Sequence, residues 1–428
     1  MRYRVNSLFM TTRMQLGRRG RQLLDLWRVG GRRALSDSVR RGIAKWIAPN
    51  TVKLPINASD VLAVDWSCRR SPVAPHVAPG QPIIVNWVTI PAGPNSGGHT
   101  TMYRIIRYLE THGCINRLYF YNVFRGDHRY YEEIARTFYG FNGRIANLNE
   151  GMEDAHAVVA TSWQTAYPVF NAHCTGARFY FVQDYEPAFY PVGALSLLAE
   201  NTYRMGLHGI TAGRWLAQKL AVEFRMCSDS FEFGCDTRHY RRAEESRRSG
   251  VVFYARPEAA RRGFELGVMA LELFARRKPE IDIHLYGDRI GKLPFQFVDH
   301  GRITPQELNS IYNRCYAGLS LSFTNVSLVP HEMLAAGCIP VVNDAVHNRI
   351  VLDNSFVRYS PPSPQALASE LEAVVMAGDF DVLSQTAAAS VRLATWDDAG
   401  ATVASVLRKS LEANMSGTNN SISHDSAY

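Results

Sequence analysis

The chain has 428 residues, 46% of them hydrophobic and 20% charged, a composition that excludes a disordered or fibrous protein. At roughly 100 to 200 residues per domain, the length calls for two domains with extensions. The net charge is +8, but residues 1–50 alone hold twelve basic and two acidic side chains, which leaves 35 basic against 37 acidic in a body with no nucleic-acid-binding face.

Within that basic segment Leu35, Val39, Ile43 and Ile47 recur every four residues beside Trp46, while Arg33, Arg40, Arg41 and Lys45 supply cations. The pattern predicts an amphipathic helix with a basic side. Such a helix either attaches the protein peripherally to an anionic membrane surface or serves as a solubilising arm packed on the body. Residues 1–50 lack the long apolar core and small-residue cleavage site of a secretory signal, and no run reaches the ~20 apolar residues of a membrane span. The seven cysteines, Cys68, Cys114, Cys174, Cys227, Cys235, Cys315 and Cys338, form no C-x-x-C pair and read as reduced core thiols. The expected location is cytoplasmic, peripheral on the inner face of the membrane if the arm binds lipid.

From Pro82 onward short β-branched and aromatic runs alternate with helical patterns, as in parallel sheets covered by helices. Strands are predicted in the first half at Ile83 to Val88, Arg117 to Tyr121, Ala157 to Ala160, Arg178 to Val182 and Gly209 to Thr211. The second half starts again with Val251 to Tyr254, Ile281 to Tyr286, Ala317 to Leu321 and Ile339 to Val342. Between them Arg241 to Gly250, RRAEESRRSG, is charged and carries no apolar stripe, which predicts the hinge. The expected division is a basic extension 1–50, an acceptor-side domain 51–243, a nucleotide-sugar-binding domain 244–395, a C-terminal helix 396–413 and a disordered tail 414–428 rich in Ser, Asn and Gly. The fold class is α/β, two Rossmann-like doubly wound domains facing across a cleft, with ligands at the carboxyl ends of the strands.

Four stretches fall at such strand ends. In PAGPNSGGHTT, Pro91 to Thr101, Gly97 and Gly98 let the backbone approach a ligand, and the following helix start attracts anions. A flexible turn is the other reading, since no G-x-G-x-x-G is present. In YFVQDYEPAFYP, Tyr180 to Pro191, the polar Gln183, Asp184 and Glu186 sit among Tyr185, Phe189 and Tyr190, which suits carbohydrate binding or acid/base work. Glu186 serves alternatively as a cap. No Asp-x-Asp occurs here, so no metal is expected.

In VVFYARPEAARRGFELG, Val251 to Gly267, Arg256 follows a strand, and Arg261 and Arg262 precede Gly263 at a helix start. Guanidinium groups so placed hold a diphosphate with bidentate geometry, although Arg261 or Arg262 could equally be solvated surface residues. In LSFTNVSLVPHEMLAAGCIPVVND, Leu321 to Asp344, Ser327 reads as an N-cap, Pro330 falls in the first turn and Gly337 reads as the C-terminal cap. This short helix would point its N–H groups at the cleft. Glu332 and Ala336 share one helix face, and a buried Glu needs a partner: sugar hydroxyls, a ribose, a cap or a salt bridge.

These residues together resemble the nucleotide-binding half of glycosyltransferase family 4. That half runs strand, Arg, Lys-Gly, then later Glu, seven residues, Glu, a small-residue helix and Gly-x-Pro-Val. Arg256 matches the Arg, and Arg262-Gly263 falls where Lys-Gly would be. Glu332, with Met333 to Ala336 and then Gly337-Cys338-Ile339-Pro340-Val341, matches the second Glu, its helix and the glycine-proline stretch. Thr324 stands in place of the first Glu, a departure at the usual contact to the transferred sugar. The first half is similar in its Gly97-Gly98 turn and in Phe233-Gly234-Cys235-Asp236, which resembles N-G-V-D. Phe181 to Pro187 combined with Ser322 to Glu332 looks most like WsaF-type rhamnosyltransferases.

The resemblance spans about Pro82 to Glu412 and implies a GT-B architecture without cofactor or metal. It implies transfer of rhamnose, with deoxythymidine-diphosphate rhamnose as donor, to a growing surface polysaccharide or lipid-linked glycan with retention of configuration. Asp184, Arg256 and Glu332 would then be catalytic. Gly97, Gly98, Arg261, Arg262, Gly287, Thr324, Asn325, Ser327 and Leu328 would bind the donor, with Gln183, Tyr185 and Glu186 toward the acceptor or sugar. The rivals are a non-catalytic sugar- or membrane-binding scaffold and a sugar-nucleotide epimerase or phosphorylase of the same architecture. A Schiff-base phosphorylase would need a cofactor lysine, and lysines are sparse among these motifs.

Overall fold

The computed structural model describes residues 31–40, 43, 54–65, 75, 77–78, 80–94, 96–244, 247–391 and 395–417, with side chains only to residue 412 at the C-terminal end. Two compact units emerge, residues 37–232 with the helix Trp396–Gly417, and residues 233–395 with the described residues 31–36.

Among the described residues the first unit carries β1 (Ile83–Thr89), β2 (Cys114–Phe120), β3 (Arg144–Asn147), β4 (Ala157–Ala160), β5 (Ala177–Val182), β6 (His208–Ala212) and β7 (Ser228–Phe231). They pair in parallel in the order β3-β2-β1-β4-β5-β6-β7. The second unit carries β8 (Gly250–Ala255), β9 (Asp282–Gly287), β10 (Val298–Gly301), β11 (Cys315–Leu319), β12 (Ile339–Asn343) and β13 (Arg358–Ser360). Their order is β10-β9-β8-β11-β12-β13, again parallel. In each sheet the order reverses beside the first strand, the arrangement that opens a ligand crevice at the strands' carboxyl ends.

The nine predicted strands are all present. The four that were not predicted, β3, β7, β10 and β13, are the four sheet edges. A central strand of a parallel sheet is covered on both faces and reads as an apolar run, whereas an edge is covered less and loses that signal. RIAN and SDSF accordingly have one buried residue between them, while all of AVVA in β4 is buried.

The boundary between the two compact units lies before Phe233, ahead of the 241–250 segment. The segment that reads as a charged linker is fastened to the second unit. Cys235 Sγ donates to His331 O at 3.5 Å, Arg241 N–H to Asn309 Oδ1 at 3.0 Å, and Ala243 N–H to Asn313 Oδ1 at 2.7 Å. Arg248 is only 8% exposed, and its guanidinium donates to the carbonyls of Tyr312, Cys315 and Ala336 and to Ser384 Oγ. Backbone carbonyls waiting at strand and helix ends turn this charge inward, and nothing in the local sequence announces them.

The helix Trp396–Gly417 returns to the first unit and packs on the helix Gly97–Thr111. Gly400 permits the approach, because a Cβ there would lie 2.2 Å from the Tyr108 ring, and the Arg104 guanidinium covers the Trp396 ring at 4.8 Å. This helix runs four residues into the expected disordered tail; residues 418–428 lie outside the described residues.

At the other end, residues 31–40 are helical, as the spacing predicts. Asp37 is buried and fastens this helix: its Oδ2 accepts the Tyr131 O–H at 2.5 Å and its Oδ1 accepts the Asp127 N–H at 3.0 Å. Val39 and Ile43 remain 47% and 51% exposed. The predicted apolar stripe is therefore not the docking face; Arg41, Lys45, Trp46 and Ile47 lie outside the described residues. Cys114, Cys174, Cys235, Cys315 and Cys338 are buried free thiols, but Cys227 is exposed, and Cys68 is outside the described residues. No described helix is long and apolar enough to cross a membrane.

Candidate functional site

In the first unit β4 separates β1 from β5, but the segments that follow β1 and β5 meet beyond the strand ends. A Cβ on Gly98 would lie 3.4 Å from the Gln183 amide nitrogen, an ordinary contact distance, so the predicted glycine turn and Gln183 are brought together without glycine being demanded there. His99, which the sequence reading missed, fastens this turn. Its Nδ1 meets Ser96 Oγ at 2.8 Å, and its Nε2 meets Ile90 O at 2.9 Å and Thr89 Oγ1 at 3.2 Å. Burial lowers its pKa below the usual histidine value. Asp184 is 9% exposed, with Oδ1 accepting the adjacent Tyr185 N–H at 2.9 Å.

One expectation for this strand end is corrected. Glu186 was expected to meet an acceptor or sugar, but it is buried with both carboxylate oxygens bonded inside the fold. Oε2 accepts the Trp163 N–H at 2.9 Å and Oε1 the Tyr180 O–H at 2.8 Å. It thereby satisfies an open donor at the start of the helix Trp163–Asn171, the capping role on a helix distant in sequence. Tyr185 is half-buried against the core, stacked on Tyr203 at 6.0 Å with the Lys219 ammonium over its ring at 4.4 Å.

In the second unit three strand ends converge. Register pairs Ala255 of β8 with Gly287 of β9, and Tyr286 of β9 with Gly301 of β10. The next residue on each strand is Arg256, Asp288 and Arg302. Arg256 Nη1 donates to Tyr254 OH at 3.0 Å, and its Nε lies 3.3 Å from Asp288 Oδ2, an ion contact short of hydrogen-bond alignment. Burial lowers the Arg256 pKa, but Tyr254 and Asp288 outweigh it and the net shift is upward.

The loop after β11 is tied to the arginine turn. Arg262 Nη1 donates to Ser322 Oγ at 2.7 Å and to Asn325 O at 3.3 Å, and Phe323 N–H donates to Arg261 O at 3.0 Å. Gly263, at φ +56°, leaves room for the Phe323 ring, which a Cβ would approach to 2.6 Å. Arg262 thus supports the loop as well as lying at the strand end. Ser327 does not cap the helix Val329–Ala335; Leu328 occupies the cap position without a side-chain bond.

Ser327 Oγ, Thr324 Oγ1 and His331 Nδ1 are buried, and none finds a hydrogen-bond partner among the described residues. Natural proteins leave few such atoms, so three within eight residues single out this segment among the described residues. Burial holds the His331 pKa down to about 4, so its ring is neutral at ordinary pH. Glu332 is half-buried near Tyr286 and Tyr312, whose hydroxyls meet at 2.6 Å; burial pushes both hydroxyls well up, followed by the Glu332 charge for Tyr286 and by Tyr286 and then Glu332 for Tyr312. Among the described residues no three His, Cys, Asp or Glu side chains are grouped to hold a metal ion.

Residues 249–372 match the family model of the WsaF C-terminal domain. The O-antigen biosynthesis protein RfbC of Myxococcus xanthus is 32% identical over 251 residues, 56% of this chain, and the match spans 20% of that protein's length. Among solved structures, TarM has a TM-score of 0.62 at 8% identity, covering 79% of this chain and 100% of its own. Anabaena Alr3699/HepE in complex with UDP and glucose has a TM-score of 0.59 at 12% identity, covering 76% and 100%. The pneumococcal O-GlcNAc transferase GtfA in complex with UDP and GlcNAc has a TM-score of 0.56 at 9% identity, covering 78% and 99%. These likenesses establish the fold, two parallel α/β sheets of the GT-B class.

The WsaF-matched stretch holds every second-unit position expected from sequence, namely Arg256, Arg261, Arg262, Gly287, Thr324, Asn325, Ser327, Leu328 and Glu332. It also holds Asp288, Arg302 and His331, which sequence reasoning missed. Asp288 carried the signal used for Arg256, a charged residue directly after an apolar strand. His331 carried none, because an isolated histidine on a short helix is ordinary until its buried nitrogen is found without a partner.

Proposed function

We propose that this protein is a glycosyltransferase that holds a nucleotide-diphosphate sugar on its second unit and passes the sugar to a glycan acceptor. The observation that carries the reading is that Arg256 follows β8 while the unpartnered, buried Thr324, Ser327 and His331 follow its parallel neighbour β11, at the same end of the sheet. A guanidinium suits a diphosphate, and neutral buried donors and acceptors suit the hydroxyls of a sugar.

In the reaction the bond between the anomeric carbon and the donor's phosphate oxygen breaks, and negative charge grows on the departing diphosphate. Arg256 stabilises that charge more strongly in the transition state than in the ground state, which is the condition for accelerating the step. The acceptor hydroxyl forms the new bond, and its proton passes to the departing diphosphate with retention of configuration. Glu332 and the Thr324 to His331 segment hold the donor, and Asp184 acts on the acceptor or the reacting sugar. The arginines supply positive charge at the diphosphate, so the reaction needs no metal.

The donor is deoxythymidine-diphosphate rhamnose and the acceptor a growing surface polysaccharide. The resemblance of Phe181 to Pro187 and Ser322 to Glu332 supports the donor, and the name of the Myxococcus relative supports the acceptor. The exposed Val39 and Ile43, beside the exposed Arg33 and Arg40, support peripheral binding to an anionic membrane near a lipid-linked acceptor.

Calorimetric titration with deoxythymidine, uridine and guanosine diphosphates and their sugar conjugates tests this function. Binding of one diphosphate, with sugar transfer from its conjugate, is expected. A folded protein that binds none at millimolar concentration is a scaffold and not a transferase.

A further inference from the structure

We infer that Asp288 is a positioning residue that fixes the Arg256 guanidinium at the diphosphate, with Arg302 as the counter-cation that makes this carboxylate tolerable beside an anionic ligand. The inference rests on the proposed function and deepens it, because it assigns work to two residues that the sequence patterns leave out.

The parallel register of β10, β9 and β8 delivers Arg302, Asp288 and Arg256 side by side at three successive strand ends. Asp288 is 5% exposed, and each of its oxygens faces one guanidinium: Oδ2 lies 3.3 Å from Arg256 Nε, and Oδ1 lies 3.3 Å from Arg302 Nη2. The Asp288 N–H donates to Ala255 O at 3.0 Å, so the backbone that carries the carboxylate is pinned to the strand that carries Arg256. Gly287, at φ +116°, makes the fit, since a Cβ would lie 2.5 Å from Ala255 O and 3.2 Å from Arg256 Cδ. Gly287 therefore acts by letting β9 turn against the Arg256 stem.

The charges explain why a carboxylate sits there. Arg256 is a long side chain with 37% of its surface exposed, and an unheld guanidinium of that length spreads over several rotamers. A single carboxylate would order it but would also repel a diphosphate. With Arg302 on its other oxygen, the group of three keeps a net charge of +1, so Arg256 is ordered without losing its attraction for an anion. Tyr254 OH, 3.0 Å from Nη1, is the second hold on the same guanidinium.

A double-mutant cycle on the full chain tests the assignment, read by calorimetric titration with deoxythymidine diphosphate and uridine diphosphate and by donor KM and kcat. Asp288→Asn keeps the shape and removes the charge, and it should lower kcat ~10-fold and weaken diphosphate binding by a similar factor, as expected for one charge-assisted contact. In an Arg256→Ala background the same substitution should cost less than ~2-fold, because its only effect runs through Arg256. If Asp288→Asn does not fold, Asp288→Ser, which also removes the carboxylate, replaces it in the cycle with an expected loss of the same ~10-fold order that vanishes without Arg256. Wild-type binding with an unchanged Asp288→Asn variant, or a full cost that persists without Arg256, overturns the positioning role and leaves the proposed function standing. Failure of the wild type to bind either diphosphate overturns both.

Discussion

Replacing Glu186 should unfold the first unit more easily and leave the chemistry of the folded protein alone. The residue is 6% exposed, and its two oxygens accept from Trp163 N–H at 2.9 Å and Tyr180 O–H at 2.8 Å. A hydrogen bond to a charged acceptor contributes ~1.5 to 3 kcal/mol, so Glu186→Ala, which strands both donors, should cost ~3 to 5 kcal/mol. Glu186→Gln keeps one acceptor and sets an NH₂ group against the other donor, for a cost of ~1.5 to 3 kcal/mol. With an m value of ~2 kcal/mol per molar urea, the alanine variant's unfolding midpoint should fall by ~2 M and the glutamine variant's by ~1 M. Trp163 begins the helix that Glu186 caps, so its fluorescence follows the transition. Transfer per folded molecule, measured well below the midpoint, should stay within ~3-fold of wild type. An unchanged midpoint combined with lost transfer would refute the argument and return Glu186 to the acceptor.

The other predictions concern the second unit and the arm. Arg256→Ala should cut turnover by ~100-fold with the fold intact, as removal of one transition-state donor does, and near-normal turnover in the folded variant would end its role. Chelation with EDTA should leave transfer unchanged; a strict need for Mg²⁺ or Mn²⁺ would show that the arginines are not sufficient at the diphosphate. His331, held down to about 4 by burial, stays neutral in the fold while the unfolded chain takes up its proton near pH ~6.5. Stability should therefore fall as the pH drops from ~6.5 toward ~4, and His331→Leu should remove about one proton's worth of that slope, ~1.4 kcal/mol per pH unit, in acid unfolding curves. The full chain should bind anionic vesicles, bind neutral ones much less and release as the Debye length contracts to ~3 Å near 1 M salt. Deleting residues 1–47 should abolish this, and equal binding by the truncated chain would make the arm a packing segment.

What the sequence by itself determined is the pair of sheets and the ends of their inner strands. Strands buried on both faces are apolar over most of their length, so β1, β4, β5, β8 and β12 stand out as runs, and a charged or glycine residue directly after such a run, as at Arg256, is conspicuous. Only the tertiary structure decided which polar groups find partners inside the fold. Glu186 and Arg248 look like surface or ligand residues until distant backbone groups, Trp163 N–H and the carbonyls of Tyr312, Cys315 and Ala336, are brought to them. Asp288 and Arg302 become partners only through strand register, since fourteen residues separate them along the chain. The unpartnered atoms of Thr324, Ser327 and His331 are likewise invisible locally, because being buried without a partner depends on everything the rest of the chain places nearby. Periodicity records which faces are covered, and the identity of what covers them is settled by packing between segments far apart in sequence.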